Sequence, residues 1–344
     1  MGGYNMDWQF RESLKQAESF SESRHSAKSN DNTDTKEKIY SSVTKDNLKD
    51  TANQFAKYLK ENFNEIRQAR SISSEMAQSF LDYKANNCNQ NTIYRYKSDL
   101  EKLHTCIVDR WCNKNDNLMQ QWETKMPIAF EGFKTAMLRE DKTRDIWMDN
   151  DKLQEIKAHI KENSTKDTLY NALCIEEILG LRVGELADLR ANDIQFISED
   201  KAIITIQMHD DTKKDEGPKG GRTRVFEIEG QENIQVLREI INDKVGDEKI
   251  LGVSKSALHK AWERLPESIT GEFKSANSSY HAIRKMVGTE IYNTAYTKAL
   301  EEYKEKGLNE QDSSLRAEKD ALSKLNIFLG HGESRDLRRE YVKK

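Results

Sequence analysis

Proline is nearly missing from this sequence. Three prolines (Pro127, Pro218, Pro266) and 16 glycines punctuate 344 residues. Both residue types interrupt helices, so their scarcity predicts long helices over most of the chain. Cysteine is sparse too: Cys88, Cys106, Cys112 and Cys174 form no CxxC pair and have no closely spaced histidines, which argues against a metal site and against a disulfide framework. No run approaches the ~18 consecutive apolar residues that a membrane helix requires, and 33% of the residues are charged, so a soluble protein with no membrane partner is expected. The opening residues, MGGYNMDWQFRES, show no basic start followed by an apolar stretch, and a cytoplasmic location is expected. An excess of positive charge is absent as well. Lys and Arg total 55 against 59 Asp and Glu, a net charge of −4. That sum argues against nucleic acid as a partner only weakly, because a phosphate contact depends on local charge.

What is present reads as two domains with a tail, since one domain usually holds about 100–200 residues. Residues 1–38 are rich in Ser, Asn, Asp and Lys, with Tyr4, Trp8 and Phe10 scattered among them. This composition predicts a flexible polar tail carrying at most one short helix around Trp8–Phe20. Over 39–140 apolar residues recur every three or four positions, as in Leu48, Ala52, Phe55, Leu59 and Phe63 or Ile93, Tyr96, Leu100, Leu103 and Ile107. These are amphipathic helices, with Thr44, Ser71 and Asn91 as candidate N-caps and a further helix over 117–139, making a helical bundle. A charged linker over 141–151 leads to a second domain over 152–344.

The second domain begins as helices at 152–162 and 165–180. The period then changes: 193–197, 202–208 and 222–228 are short and rich in β-branched residues, which predicts a small antiparallel sheet, with Gly217, Gly220 and Gly221 in its last connection. Helical periods return at 234–242, 255–264, 280–303 and 312–329. The fold class is therefore mainly α (α+β): an N-terminal helical bundle and a mixed, mainly helical domain with one small sheet.

Individual motifs in this second domain are modest. Gly180-Leu-Arg182-Val-Gly-Glu185-Leu186 is a helix end followed by a helix start, where Arg182 has a structural reading as a partner of Glu185 or of a carbonyl. His281 and Arg284 lie three apart, on one helix face. His331 follows Gly330, a helix-ending glycine. Tyr341 stands among Arg335, Arg338, Arg339 and Lys343. His209-Asp210-Asp211 imitates a metal cluster but reads as a solvated loop. In this order, however, G-L-R-x-G-E-L, a lysine in a Gly-rich strand connection, H-x-x-R, L-G-H and a tyrosine ten residues later closely resemble the tyrosine recombinase (phage integrase) family of site-specific DNA recombinases. The resemblance covers about 150–344, with the helical block ahead of it in the place of that family's core DNA-binding domain.

The resemblance implies a reaction, and its chemistry accounts for the residue types. A phosphodiester repels nucleophiles and gathers charge on its oxygens during attack, so fixed cations must meet it. Arg182 and Arg284 supply planar forks that grip two oxygens. His331 donates a hydrogen bond, and His281 does likewise or helps take the proton of Tyr341, the nucleophile. The resemblance implies a covalent 3′-phosphotyrosyl link and a released 5′-hydroxyl, which needs no cofactor and no metal. The general acid for the leaving oxygen is a lysine between two strands, and Lys219 fits best, with Lys213 and Lys214 as rivals in the same loop. Candidate DNA contacts are Arg222, Arg224 and Lys285, and, in the helical domain, Arg95, Lys97 and Lys102.

The interval from Arg284 to His331 is longer than usual in this family, through a charged helical insertion around 297–319. The implied partner is double-stranded DNA carrying a specific recombination site, held between the two domains by four protomers on two sites, with an accessory directionality protein as a further partner and the nucleoid as location. The products are integration, excision or resolution of a mobile element. Relaxation of DNA in the manner of a type IB topoisomerase, and a non-catalytic DNA-binding role, are the alternatives.

Overall fold

The structure, a computed structural model, describes residues 5–19, 38–40, 42–111, 146–164, 167–209, 217–218, 223–331 and 336–343. The helix expected at 117–139 and residues 141–145 of the expected linker at 141–151 lie outside these residues. Two compact units divide the chain, Met1–Lys142 and Thr143–Lys344. Among the described residues, no helix is long and apolar enough to cross a membrane.

The first unit is helical: α1 (Met6–Gln16), α2 (Ser42–Asn62), a 3₁₀ turn (Ala69–Ser71), α3 (Ser74–Ala85) and α4 (Gln90–Trp111). Its core is aromatic, with Phe55 ringed by Phe10 at 5.9 Å and Phe80 at 5.1 Å between centroids. Two of its helices start where a side chain caps them, one or two residues from the expected caps. Ser73 accepts the Met76 amide, and Asn89 accepts the Thr92 amide at 2.9 Å. Thr44 lies inside α2 rather than ahead of it.

Helix α1 corrects the expectation of a flexible tail. Phe10 and Leu14, four apart and so on one face, are fully buried in the same core. Polar side chains finish the docking. Gln9 donates to the Arg67 carbonyl and accepts from the Ala69 amide, each at 2.9 Å, and the Trp111 indole donates to Ser13 at 2.8 Å. The short helix expected around Trp8–Phe20 is therefore present, and what a polar composition hides is its docking, because two apolar residues in register suffice when a core already exists for them to enter.

The second unit opens with α5 (Asn150–Asn163), capped by Asp149, and α6 (Thr168–Leu179). Then come α7 (Val183–Asp188), a 3₁₀ turn (Ala191–Asp193), β1 (Ile194–Phe196), β2 (Lys201–Ile206) and β3 (Arg224–Glu229). The sheet is antiparallel in the order β1-β2-β3, with Ile204 opposite Phe226 and Ile206 opposite Arg224. Along β3 burial alternates strictly, so Arg224, Phe226 and Ile228 face the core. Helices α8 (Gln231–Ile241), α9 (Lys255–Glu263), α10 (Glu267–Ser275), α11 (Ser279–Glu305), α12 (Glu310–Leu329) and α13 (Arg338–Tyr341) complete it. The helix start expected after Gly180 is α7, whereas the sequence pattern had no element at α10.

Two positive-φ glycines end helices where the site forms. Gly180 (φ 51°) closes α6 and Gly330 (φ 65°) closes α12. A Cβ on Gly180 would stand 3.1 Å from Val287, and one on Gly330 would meet the Arg224 guanidinium at 2.9 Å, so both backbone freedom and lack of volume are required. The long α11 and α12 run back on each other as a hairpin, and the charged insertion expected around 297–319 is its outer part. Tyr303 donates to Asp320 at 2.7 Å across it.

The packing of α1 is tested by Phe10→Ala. Emptying so enclosed a site is expected to destabilise the first unit by about 3–5 kcal/mol, read as an earlier denaturant transition in the fluorescence of Trp8 and Trp111. An unchanged midpoint would return α1 to the tail.

Candidate active site

The second unit gathers its charge around one carboxylate. Glu185, on the first turn of α7, has no exposed side-chain surface. It accepts from Arg182 on two sides: the Arg182 amide reaches Oε2 at 2.8 Å and Nη1 reaches Oε1 at 2.8 Å. Arg224 grips it with both terminal nitrogens, at 2.7 and 2.8 Å. Arg284 Nη1 lies 3.7 Å away. Burial by itself would raise this carboxyl, but the Arg224 hydrogen bonds and charge, followed by those of Arg284 and Arg182, outweigh it and pull the Glu185 pKa down to about 2.

Arg284 is 1% exposed and sits between two helix ends. Its Nη1 donates to the Gly180 carbonyl, and its Nη2 donates to the Leu329 carbonyl at 2.6 Å. The last carbonyls of a helix have no partner within it and carry the negative end of its dipole, so two helices aim their acceptors at one cation. This explains why both helices stop at glycine: each αL turn swings its end toward the guanidinium.

Tyr341 closes the arrangement. Its ring is buried, with the Arg284 guanidinium 5.6 Å from its centroid. The His281 ring stands against it edge-on at 5.5 Å, and the His331 ring lies at 5.8 Å. Arg182 Nη2 approaches His331 Nε2 at 3.2 Å, which links the arginines to the histidines. The backbone of Tyr341 is pinned by Thr289, whose hydroxyl donates to its carbonyl at 2.8 Å. Gly288, one helical turn past Arg284, leaves room for the Tyr341 Cβ, which lies 3.4 Å from where a glycine Cβ would be.

Arg182, His281, Arg284, His331 and Tyr341 are thus neighbours in the fold although 159 residues separate the first from the last. Lys219, Lys213, Lys214, Arg222 and Arg335 lie outside the described residues. Two expected DNA contacts of this unit have other surroundings. Arg224 is buried and spends its fork on Glu185, because the alternation of β3 turns it inward. Lys285 is 3% exposed, its ammonium 4.1 Å from the Trp147 ring centroid, because it follows Arg284 on a helix buried on most of its circumference. His209 is not solvated either, being hydrogen-bonded to Asp193. In the first unit, Arg95 is exposed and stacks on Tyr96 at 5.0 Å. Lys97 pairs with Glu101 at 3.6 Å, and Lys102 donates to the Lys38 carbonyl at 2.8 Å.

Sequence reasoning underrated Glu185. Its position three residues after Arg182 allowed the pairing to be weighed, but Arg224 comes from a strand 39 residues on, and no spacing rule reaches that far. Glu176 was missed altogether. It is fully buried on α6, with neither oxygen in a hydrogen bond of normal geometry. Burial raises its pKa well above the usual carboxylate range, and the charge of Arg284 offsets this only in part.

No family model matches this chain, and a sequence comparison with curated proteins finds no match. Solved structures do match. XerH site-specific recombinase bound to its difH substrate superposes with a TM-score of 0.55 at 14% identity, over 99% of this chain and 93% of that one. The Tn1549 transposon integrase in complex with transposon right end DNA gives 0.53 at 13%, over 99% and 96%. A lambda integrase dimer bound to a COC′ core site gives 0.50 at 12%, over 97% and 77%. The chain has the fold of the tyrosine recombinases, mainly helical with a small antiparallel sheet.

Glu176 yields a prediction whose sign follows from linkage. Its folded-state pKa is raised, so unfolding releases its proton and stability falls as pH climbs above the ordinary glutamate range. Glu176→Gln removes that penalty. The variant is expected to melt higher than the parent at pH 8, with the difference shrinking toward pH 5 in paired calorimetric scans. A difference independent of pH would show Glu176 ionised in the fold.

Proposed function

We propose that this protein is a site-specific DNA recombinase that cuts and rejoins strands through a covalent link between Tyr341 and a 3′-phosphate. The observation that carries the reading is the convergence on one tyrosine of two histidines and an arginine, itself tied to two further arginines through Glu185. Three arginines and one ionised glutamate leave two positive charges in excess, and that surplus fits a phosphodiester and the charge that gathers on it during attack. Arg182 and Arg284 bind the non-bridging oxygens. Glu185 and the carbonyls of Gly180 and Leu329 hold them in place beforehand, so that little reorganisation is left for the reaction.

In the structure the Tyr341 ring lies over Arg284, so the phosphate reaches that cation by displacing the ring. The phenol oxygen then attacks phosphorus in line with the departing 5′ oxygen. His281 takes the phenolic proton, and His331 donates to a non-bridging oxygen. The bond to the 5′ oxygen breaks, and Lys219 supplies the proton that makes it a hydroxyl, with Lys213 and Lys214 as alternatives. A 5′-hydroxyl from another strand reverses the steps and restores a phosphodiester, so neither nucleotide cofactor nor metal is needed. The partner is duplex DNA with a recombination site, and exchange requires four protomers on two sites, with an accessory protein setting direction. Arg95 and Lys97 remain candidate phosphate contacts of the first unit. A chain that acts on DNA in this way works at the nucleoid, in the cytoplasm.

The test is covalent capture. A randomised pool of nicked duplexes incubated with the full chain is expected to yield an SDS-resistant protein–DNA adduct that disappears in Tyr341→Phe and falls by about 100-fold or more in Arg182→Ala. No adduct from the parent protein, or one that persists in Tyr341→Phe, would defeat the mechanism. Exchange between two copies of the captured site, against relaxation of a plasmid bearing one copy, separates recombination from topoisomerase action.

A further inference from the structure

The connection from β2 to β3, residues 207–223, carries the proposed general acid, and two of its described points are fastened to neighbouring elements. At the β2 end the anchor is Asp193, which is 2% exposed. It gathers three donors: the Arg190 amide at 2.9 Å, the Gln207 side-chain amide at 3.1 Å and His209 Nε2 at 2.7 Å. The His209 side chain is itself 8% exposed. A carboxylate acceptor requires the proton on Nε2, so this contact fixes the imidazole's orientation as well as its position. A His–Asp pair buried where a strand gives way to a polar connection costs desolvation, and three donors on one carboxylate offset it.

At Gly217, seven residues ahead of β3, the anchor is α7. The Gly217 amide donates to the Gly184 carbonyl at 3.0 Å, and Gly184 stands between Arg182 and Glu185 in sequence. Gly217 takes φ 80°. A Cβ there would lie 3.4 Å from Asp188 Oδ2 and 3.6 Å from both the Gln207 carbonyl oxygen and the Met208 Cα. These two points of the connection therefore stand side by side. One rests on Asp193 and the other on the helix that holds the arginine cluster, and Lys219 is two residues beyond Gly217.

We propose that His209 and Asp193 are positioning residues for the general acid: their hydrogen bond holds the start of the β2–β3 connection, against which Gly217 rests two residues ahead of Lys219 in sequence, while the Gly217–Gly184 bond ties the same point to α7. This rests on the tyrosine–phosphate reading above. His209 acts through the lysine and touches neither phosphate nor nucleophile.

A substrate that needs no general acid separates positioning from folding. The captured duplex is synthesised in two forms, with oxygen or with sulfur bridging the scissile phosphorus to the 5′ carbon. A thiolate leaves without a proton. In single-turnover cleavage by the full chain, His209→Ala and Asp193→Asn are expected to lose about 10- to 100-fold on the oxygen substrate while staying within about threefold of the parent on the sulfur substrate. His209→Gln, whose amide can still donate to Asp193, recovers most of the loss. Equal losses on both substrates would make the pair merely structural, and undiminished cleavage of the oxygen substrate would remove its role; either result overturns the proposal. Failure of the underlying reading looks different: the parent protein then forms no adduct on either substrate, or Tyr341→Phe still forms one.

Discussion

The second unit depends on one buried ion cluster. Glu185 takes a bidentate grip from Arg224 and a second pair of bonds from Arg182, within reach of Arg284. Three guanidinium groups crowded together repel one another, and a buried charge without a partner costs several kcal/mol. A single carboxylate resolves both problems without neutralising the cluster. The cost of assembling positive charge is thus met on folding, and two positive charges stay in excess. Arg224 illustrates the division of labour: its fork is spent on Glu185, and its grip keeps that carboxylate ionised beneath Arg182 and Arg284, the proposed phosphate ligands.

Backbone design extends the same logic. Helices α6 and α12 each end at a glycine in the left-handed region, and each sends a carbonyl to Arg284. The dipoles of two helices stabilise a cation that is almost completely withdrawn from water. Gly288 and Thr289, on the next turn of the helix that carries His281 and Arg284, then seat the Tyr341 segment from below. One helix therefore sets the spacing between Arg284, His281 and the proposed nucleophile, and the small residues along it are as necessary to the geometry as the charged ones.

How much of this was visible in the sequence depends on distance along the chain. H-x-x-R, L-G-H and the tyrosine are local patterns, and each lies on the kind of element expected for it: His281 and Arg284 on one helix, His331 just past a glycine cap, Tyr341 near the end of the described residues. The three strands were legible from their β-branched runs to within about two residues at either end. What the pattern could not supply was partnership between distant elements. Arg224 read as a DNA contact because it stands with the cations Lys219 and Arg222, and only the pairing of β3 with β2 turns it inward onto Glu185. Lys285 read as a phosphate contact because it adjoins Arg284, whereas a helix rotates adjacent residues by 100° and carries it under Trp147. Helix α1 was expected, within about four residues at its far end, but as part of a flexible tail, because composition averages away a stripe as narrow as Phe10 and Leu14. Glu176 gives no signal at all: a lone glutamate in an apolar helix cannot be told from a solvent-facing one until its neighbours are known.

A double-mutant cycle between Glu185 and Arg224, using Glu185→Gln, Arg224→Met and the pair, tests the central claim that this carboxylate holds the cluster together. The account predicts strong coupling, about 2–3 kcal/mol in the denaturant transition of the second unit, because each single change already removes the bidentate pair and leaves its other member buried without that partner, and the double change leaves neither member behind. Additive effects, with coupling near zero, would contradict it.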